Sequence, residues 1–413
     1  MMKTLLFVGL LIITPCGLAQ KITKQQYKED FNFFWDTMNS SYCYFDKKEV
    51  DWNHVKTIYA AKIEKVSSRA SFISLMEKVI YEVYDHHCSL GANMPLSRRL
   101  VPTGTDIWAE YINGKPVITE LRRGFGAQKA GIIAGMQVIS VNGIPVEQAI
   151  LPFLSHVKNS ESKSFALRLS LAGDHLTPRK LTLKKDGIIR DYYPDRESMM
   201  LESIDYDQKV KGVTYGEIGY IRINNYLGDN TIISDFDSVL NNLMQTKSLI
   251  IDLRETPSGG NTTVARAILG RFINKELPYQ KHEYYAEEKE TGIKRSWVEI
   301  VSPRGQHYNK PVVILCDRWT GSVGEGITIG FDGMKRAKVI GTPMAGLNGA
   351  VYSFEMPNTK IGFSFPAERL YHVNGLPREL YKPAIQVRME IQKPAASEDI
   401  ILNAGLIYLR KLM

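Results

Sequence analysis

Cysteine is scarce in this chain: 413 residues carry four, at positions 16, 43, 88 and 316. Cys16 falls in an N-terminal apolar segment, and the other three are odd in number and widely spaced, so they do not form a disulfide framework. Cys316 closes an apolar strand pattern and reads as a small buried hydrophobe, while a Cys43–Cys88 bridge stays open. Beyond residue 19 no apolar run is long enough to cross a membrane. Basic residues do not cluster with aromatics, and a formal charge of +8 is moderate for this length, so nucleic acid is not an expected partner. His86 and His87 have no third ligand at HExxH-like spacing, so no metal is expected. Gly259 and Gly260 lack the Gly-Lys-Ser/Thr of a P-loop, and the TGSVG around Ser322 is not the GxSxG of a nucleophile elbow.

Hydrophobic residues make up 44% and charged residues 23%, a balance suited to a folded chain with a substantial core and more than one domain. Met1 to Ala19 has an early lysine, an apolar stretch and small residues before Gln20, the pattern of a secretory signal. The chain is therefore expected to be exported, to a periplasmic or extracellular site. Cleavage before Cys16 instead would leave a lipid anchor and an outer-membrane association. The sequence carries no signal for an oligomeric state.

From residue 20 to about 95, apolar residues recur at helical spacing: Tyr27, Phe31, Phe34 and Met38, then a helix over Trp52 to Ile63, then Phe72, Leu75, Met76 and Val79. This N-terminal helical domain ends at Asp85-His86-His87-Cys88. A neutral imidazole there is a natural acceptor for a serine proton near pH 7. Residues 96–190 change to short strands with an Asn142-Gly143 turn, a helix starting near Val146 and a further strand expected over Phe165 to Leu171. Residues 186–212 read as a connector. Within 191–413, strands and helices alternate as in an α/β domain: Glu217 to Ile223, a helix over Asn230 to Gln245, Ser248 to Leu253, a helix near Thr262, and Val312 to Leu315.

The Val312 strand pattern breaks into a glycine-bounded turn at Ser322, and Glu325 to Ile329 opens a helix. A hydroxyl at such a turn faces the N–H groups of the helix start, which places a nucleophile beside an oxyanion site. Ser322 with Glu325 three residues later equally fits a capping box. The paired Gly259 and Gly260 after a buried strand let backbone N–H groups approach a ligand closely, or form a flexible turn.

The run Ala130, Gly131, Ile132, Gly135, Met136, Val138, Ile139, Val141, Asn142, Gly143 resembles the closing pattern of a PDZ domain. That resemblance implies strand addition of an extended peptide near Leu121, Arg122, Arg123, Gly124, Phe125 and Gly126. IIDLRETPSGG, Ser322-Val323-Gly324-Glu325 and Asp85-His86-His87-Cys88 together resemble the S41 serine peptidases, which comprise the C-terminal processing peptidases and their tricorn-like relatives. The resemblance implies a multidomain α+β protein: the helical domain, a PDZ-like β-rich domain and a C-terminal α/β peptidase core of the ClpP/crotonase-like type. It further implies a serine endopeptidase acting on peptides or unfolded proteins, with no metal or organic cofactor. Ser322 is then the nucleophile and His87 the base, as in the tricorn-like branch. Glu379 orients the histidine, with Glu368 as the fallback, and Val323 with Gly259 or Gly260 supplies the oxyanion hole.

The other branch uses a lysine, but Leu347 stands at that position, which leaves Lys335, Lys338 and Lys360 as the bases of an alternative Ser–Lys dyad. A catalytically inactive peptide-binding protein on the same scaffold is the rival from another class. A lipid- or small-ligand-binding role is a third.

Overall fold

The computed structural model describes residues 22–196, 208–389 and 398–413. The expected export segment, with Cys16, lies outside these residues. The centre is a parallel sheet in the order Ile385–Gln386, Lys338–Gly341, Val312–Cys316, Ser248–Asp252, Ile218–Ile223, with Val210–Tyr215 closing one edge antiparallel. The two central strands are buried at every position, because helices cover both faces of the sheet and its middle meets no water. Phe236, Leu240, Ile268, Ile327 and Phe331 pack on one face. Ile401, Leu406 and Leu409, from a C-terminal helix Ile400–Arg410, pack on the other.

The N-terminal helices Lys24–Ser41, Trp52–Ile63 and Arg69–Tyr81 follow the expected spacing. Their apolar faces do not close on one another alone. Phe31, Phe34, Met38, Phe72 and Met76 share one core with Phe363, Phe365 and Ala367 of a second, antiparallel sheet. That sheet runs Ser89–Leu90, Gly362–Tyr371, Leu277–Tyr284, Arg295–Val301, with Ala350–Glu355 also paired to Gly362–Tyr371. Ser89 stands opposite Ser364, so the histidine pair is held between the third helix and a strand of this sheet.

Residues 107–192 form the third sheet, all antiparallel, in the order Ile107–Ile112, Lys115–Leu121, Gln137–Val141, Leu181–Lys185, Ile188–Tyr192. Two expectations fail here. Phe165 to Leu171 is no strand but part of a helix, Ser160–Ala172, capped by Asn159 Oδ1 accepting Ser162 N–H at 2.9 Å. Its FALRLSLA alternation imitates a strand because the helix is buried on nearly every side and shows no polar stripe. The stretch after residue 186 is no plain connector either. Asp186 and Gly187, at φ 49° and 81°, make a two-residue hairpin turn that returns Ile188–Tyr192 against Leu181–Lys185. Cys43, Cys88 and Cys316 are free and buried, so the open Cys43–Cys88 bridge is not made. No helix among the described residues is long and apolar enough to cross a membrane.

The third sheet is fastened to the parallel sheet by Trp319, three residues before Ser322. Its ring is fully buried among Ile107, Trp108, Phe165 and their neighbours, and its Nε1–H donates to Thr105 O at 2.8 Å. Arg318 beside it pairs with Glu110 at 2.9 Å. Trp319→Ala is expected to cost roughly 3–5 kcal/mol of unfolding free energy, the usual range for emptying a buried aromatic site. Urea denaturation of the full chain measures this, and an unchanged midpoint would show that the ring fastens nothing.

Candidate active site

Val312–Cys316 delivers the chain to a tight turn, and the helix Val323–Gly333 leaves it, with Ser322 between at φ 48° and ψ −110°. A positive φ at a non-glycine residue costs about 1–3 kcal/mol and persists only where the surroundings over-determine it. Here Ser322 N–H donates to Glu325 Oε2 at 2.9 Å, and Ser322 C=O accepts Gly326 N–H at 3.1 Å. The loop before it is clamped to the neighbouring loop, where Gly321 N–H donates to Thr256 O at 3.3 Å. A side chain at Gly321 would start 2.5 Å from Pro257 O, so the flanking glycine is required by close backbone approach. The turn thus has the strained strand-to-helix character of a nucleophile elbow without that motif's glycine spacing.

Ser322 opens onto a cleft of about 370 Å³ that Gly260, Val323 and Gly326 also line. The N–H of Val323, first in the helix, has no hydrogen-bond partner among the described residues, nor has that of Gly260. Gly259 N–H is already committed to Thr256 O at 3.1 Å. Gly259 contributes by its missing side chain instead: at φ 65°, a Cβ would run into Ser322 Cβ and stand 2.9 Å from its Oγ.

Glu325 links the serine to a second segment. Its Oε2 holds Ser322 N–H, and its Oε1 accepts Gly346 N–H at 2.9 Å. Two residues on, Asn348 O receives His87 Nδ1 at 2.5 Å, and Asn348 Nδ2 donates to Asp85 Oδ2 at 2.9 Å. Asp85 also accepts Tyr42 OH at 2.8 Å and the His87 backbone N–H at 2.9 Å. A carbonyl partner places the His87 proton on Nδ1 and leaves Nε2 as the lone-pair nitrogen. Burial first, with the Arg378 charge adding to it, lowers His87 to about 4, against the Asn348 bond and the Asp85 charge. Its imidazole is therefore neutral at pH 7. Burial also raises Glu325, to about 7, against Arg378 and the two backbone N–H donors.

The remaining expected residues fall in several places. Glu379 is half-buried, its Oε2 atom is buried without a partner among the described residues, and desolvation raises its carboxyl; the His87 ring nitrogen meets Asn348 rather than this carboxylate. Glu368 is bonded to His282, not His87. His86 stacks on Phe165 at 4.4 Å and accepts from Arg168 Nε at 2.9 Å, a packing histidine. Leu347 is buried and lies 3.3 Å from where a Gly321 side chain would begin. Lys335, Lys338 and Lys360 are exposed and line no part of the cleft.

In the segment from Leu121 to Gly126, Leu121, Arg122 and Phe125 are buried while Arg123 is exposed. Arg122 pairs with Glu255 at 2.7 Å, Phe125 is fully buried, Arg123 lies 3.7 Å from Asp399, Gly124 N–H donates to Gln128, and Gly126 abuts Pro194 O. Gln280, His282, Trp297 and Glu299, which line the same cleft as Ser322, were not among the sequence candidates. No motif marks them, since two strands far from Ser322 in the chain bring them there. Among the described residues no group of three His, Cys, Asp or Glu side chains is arranged to hold a metal.

Gly259→Ala is expected to remove fluorophosphonate labelling of Ser322 while the chain stays folded by circular dichroism; full labelling would mean that the turn tolerates the methyl. Glu325 makes a pH prediction. Its folded value of about 7 exceeds the ordinary 4.5, so between these values the folded chain holds a proton that the unfolded chain has lost. Its contribution is then greatest below about pH 4.5 and falls by on the order of 3 kcal/mol as pH rises to about 7. Urea titrations of wild type and Glu325→Gln across this window should show their stability difference shifting against the wild type with rising pH, and a constant difference would refute the assignment.

Residues 217–385 match the Peptidase family S41 model, and residues 23–80 match the Tricorn protease C1 domain. The carboxy-terminal processing protease CtpB of Bacillus subtilis (strain 168) is 24% identical over 289 residues, 68% of this chain and 54% of that protein. The match thus spans about half the length of that curated relative. Two solved structures share the fold: mature CPAF, with TM-score 0.57 and 15% identity over 88% of this chain and 92% of that one, and the photosystem II D1 C-terminal processing protease, with TM-score 0.56 and 15% identity over 90% and 95%. The nucleophile turn lies in the stretch that matches the S41 peptidase family, and the helices Lys24–Ser41 and Trp52–Ile63 lie in the stretch that matches the tricorn C1 domain.

Proposed function

We propose that this protein is a serine peptidase that hydrolyses peptide bonds in peptides or unfolded proteins, with Ser322 as nucleophile. The observation that carries the proposal is the strained Ser322 at a helix start, open to a cleft and next to the unpartnered N–H groups of Val323 and Gly260. Attack of Ser322 Oγ on a carbonyl carbon puts negative charge on the oxygen, and two N–H groups fixed before reaction stabilise it without reorganisation. Export through Met1–Ala19, with cleavage before Cys16 and a lipid anchor there as its alternative, domain limits near 95 and 190, and a ClpP/crotonase-like core belong to the same proposal. So does a PDZ-like role for residues 96–190. There, Tyr111 N–H donates to Ser164 Oγ at 3.0 Å, so helix Ser160–Ala172 is bonded to the Ile107–Ile112 strand.

Two bases compete. Family membership by itself favours the Ser–Lys dyad usual among S41 peptidases. In this chain the side chains favour His87: it is neutral, its tautomer is set by Asn348, and its segment is tied through Glu325 to Ser322, whereas Leu347 occupies the lysine position. His87 would take the Ser322 proton and return it to the leaving amine. An inactive peptide-binding scaffold is the remaining alternative, and what favours it is that His87 and Ser322 share no hydrogen bond among the described residues.

Fluorophosphonate labelling of the full chain, with the adduct located by mass spectrometry, separates the three. With His87 as base, Ser322 is labelled, His87→Ala abolishes labelling, and the rate falls on acidification through about pH 4, where the imidazole charges. A limb near neutrality or above, insensitive to His87→Ala and lost in one lysine variant, would establish the dyad. Folded protein that never labels, even with peptide present, would establish the scaffold.

A further inference from the structure

One strand of the antiparallel sheet starts in the cleft and leaves it with a bare edge. Ala350–Glu355 pairs on one side with Gly362–Tyr371 and with no other strand among the described residues. Its first two residues, Ala350 and Val351, line the cleft onto which Ser322 opens.

The register fixes which main-chain groups face the bare edge. Val351 stands opposite Pro366, Ser353 opposite Ser364 and Glu355 opposite Gly362. Pro366 has no N–H, and its C=O is turned away from this pair to accept Cys43 N–H at 3.1 Å. Gly362 C=O is likewise spent elsewhere, on Gly91 N–H at 2.7 Å, whereas Met356 N–H donates across the pair to Ile361 O at 3.0 Å. Antiparallel partners alternate between residues that exchange both bonds and residues that exchange none. Tyr352 and Phe354 therefore bond inward, and Val351, Ser353 and Glu355 turn both N–H and C=O outward. The Ser353 and Ser364 hydroxyls meet at 2.8 Å, as side chains do in the closer, non-bonded kind of pair. None of the outward main-chain groups has a hydrogen-bond partner among the described residues.

Edges of this kind are normally blunted by lysine, proline or a covering element, because they template the addition of another strand. The sequence AVYSFE has neither lysine nor proline, and its single charge, Glu355, stands at the end away from the cleft. Val351 and Tyr352 are 39% and 38% exposed. The register shift between Ala350 and Val351 falls at the cleft end, where such irregularities re-aim a strand. The Ile107–Ile112 strand of the third sheet differs, since Ser164 and Arg168 of one helix already bond its Tyr111 N–H and Ala109 C=O.

Resting on the peptidase reading for what enters the cleft, we propose that the edge from Val351 to Glu355 holds an extended segment of the substrate by strand addition. Continuity with the cleft identifies the occupant: a chain bonded along this edge is led to the residues that surround Ser322. The edge is about 13 Å long, enough for about five residues of extended chain. Recognition through main-chain groups accepts many side chains and requires only that the segment's own N–H and C=O groups be free, which selects unfolded polypeptide over folded protein.

The test uses reduced, carboxymethylated α-lactalbumin as an unfolded probe and native α-lactalbumin as its folded counterpart. Binding to the full chain is measured calorimetrically in the Ser322→Ala background, so that nothing is cleaved. The unfolded probe is expected to bind and the folded one not to bind. Ser353→Pro and Glu355→Pro each delete one outward N–H while leaving the bonds to Gly362–Tyr371 in place, because an edge strand tolerates proline where its N–H faces solvent. Each should weaken binding by about fivefold, the order of one lost hydrogen bond, with thermal melting to confirm that the variants fold. No binding of the unfolded probe, equal binding of the two probes, or unchanged affinity in both folded proline variants would overturn the inference. A dimer seen by analytical ultracentrifugation and split by the same prolines would also overturn it, since a second copy of this chain would then occupy the edge. Fluorophosphonate labelling of the chain with Ser322 intact separates the two readings. Ser322 that labels while binding ignores the prolines removes the edge and keeps the peptidase. Proline-sensitive binding in a chain whose Ser322 never labels keeps the edge and removes the catalysis.

Discussion

The carboxylate of Glu325 is the constraint on which the site depends. It is fully buried, and its two oxygens are spent on two backbone N–H groups from segments about twenty residues apart, Ser322 and Gly346. One bond holds the serine in its strained turn and takes its own N–H out of use, so the N–H groups left unpartnered beside it among the described residues are those of Val323 and Gly260. The other anchors the loop whose Asn348 carbonyl fixes the His87 tautomer. Arg378, also buried, reaches the same carboxylate and the carbonyls of Leu347 and Gly349, which keeps the loop from swinging away. A Ser322 capping box and a nucleophile at the helix start are rival readings of one motif; in the structure the glutamate of the box is what holds the serine in its turn.

The same loop bears on the division within the family. By the resemblance of its sequence, its glycine-bounded segment, Gly346 to Gly349, stands where the lysine branch would carry its base. Here Leu347 packs toward Gly321, and the loop's polar work passes to the Asn348 main chain and side chain, both directed at the Asp85–His87 turn. The loss of a lysine and the presence of a held histidine are linked through one short segment rather than being two separate departures.

Around this centre no layer is independent. The N-terminal helices bury their apolar faces against Phe363 and Phe365, and the third sheet takes Trp319 into its core. His87 comes from the first region and Ser322 from a loop bolted to the second, so the geometry of the site is a property of the whole packed chain. The far wall of the cleft is built the same way, from three strands of the antiparallel sheet, and its Glu368 serves His282.

The sequence by itself determined the local pieces. Helical spacing set the first three helices, continuous apolar runs set the buried parallel strands, and the glycine-bounded Ser322 with its glutamate and the Asp85–His87 stretch were legible as chemistry, because each signal is carried by residues within a few positions of one another. It misled where burial erased the polar contrast, as in Ser160–Ala172, and it was silent where a hairpin depended on Asp186-Gly187 alone. Tertiary structure alone decided that Asn348 orients His87, that Gly259 gives space rather than a donor, and that Gln280, His282 and Glu368 line the same cleft as Ser322. Those contacts join positions tens to hundreds of residues apart, and no spacing along the chain encodes a distance that only packing creates.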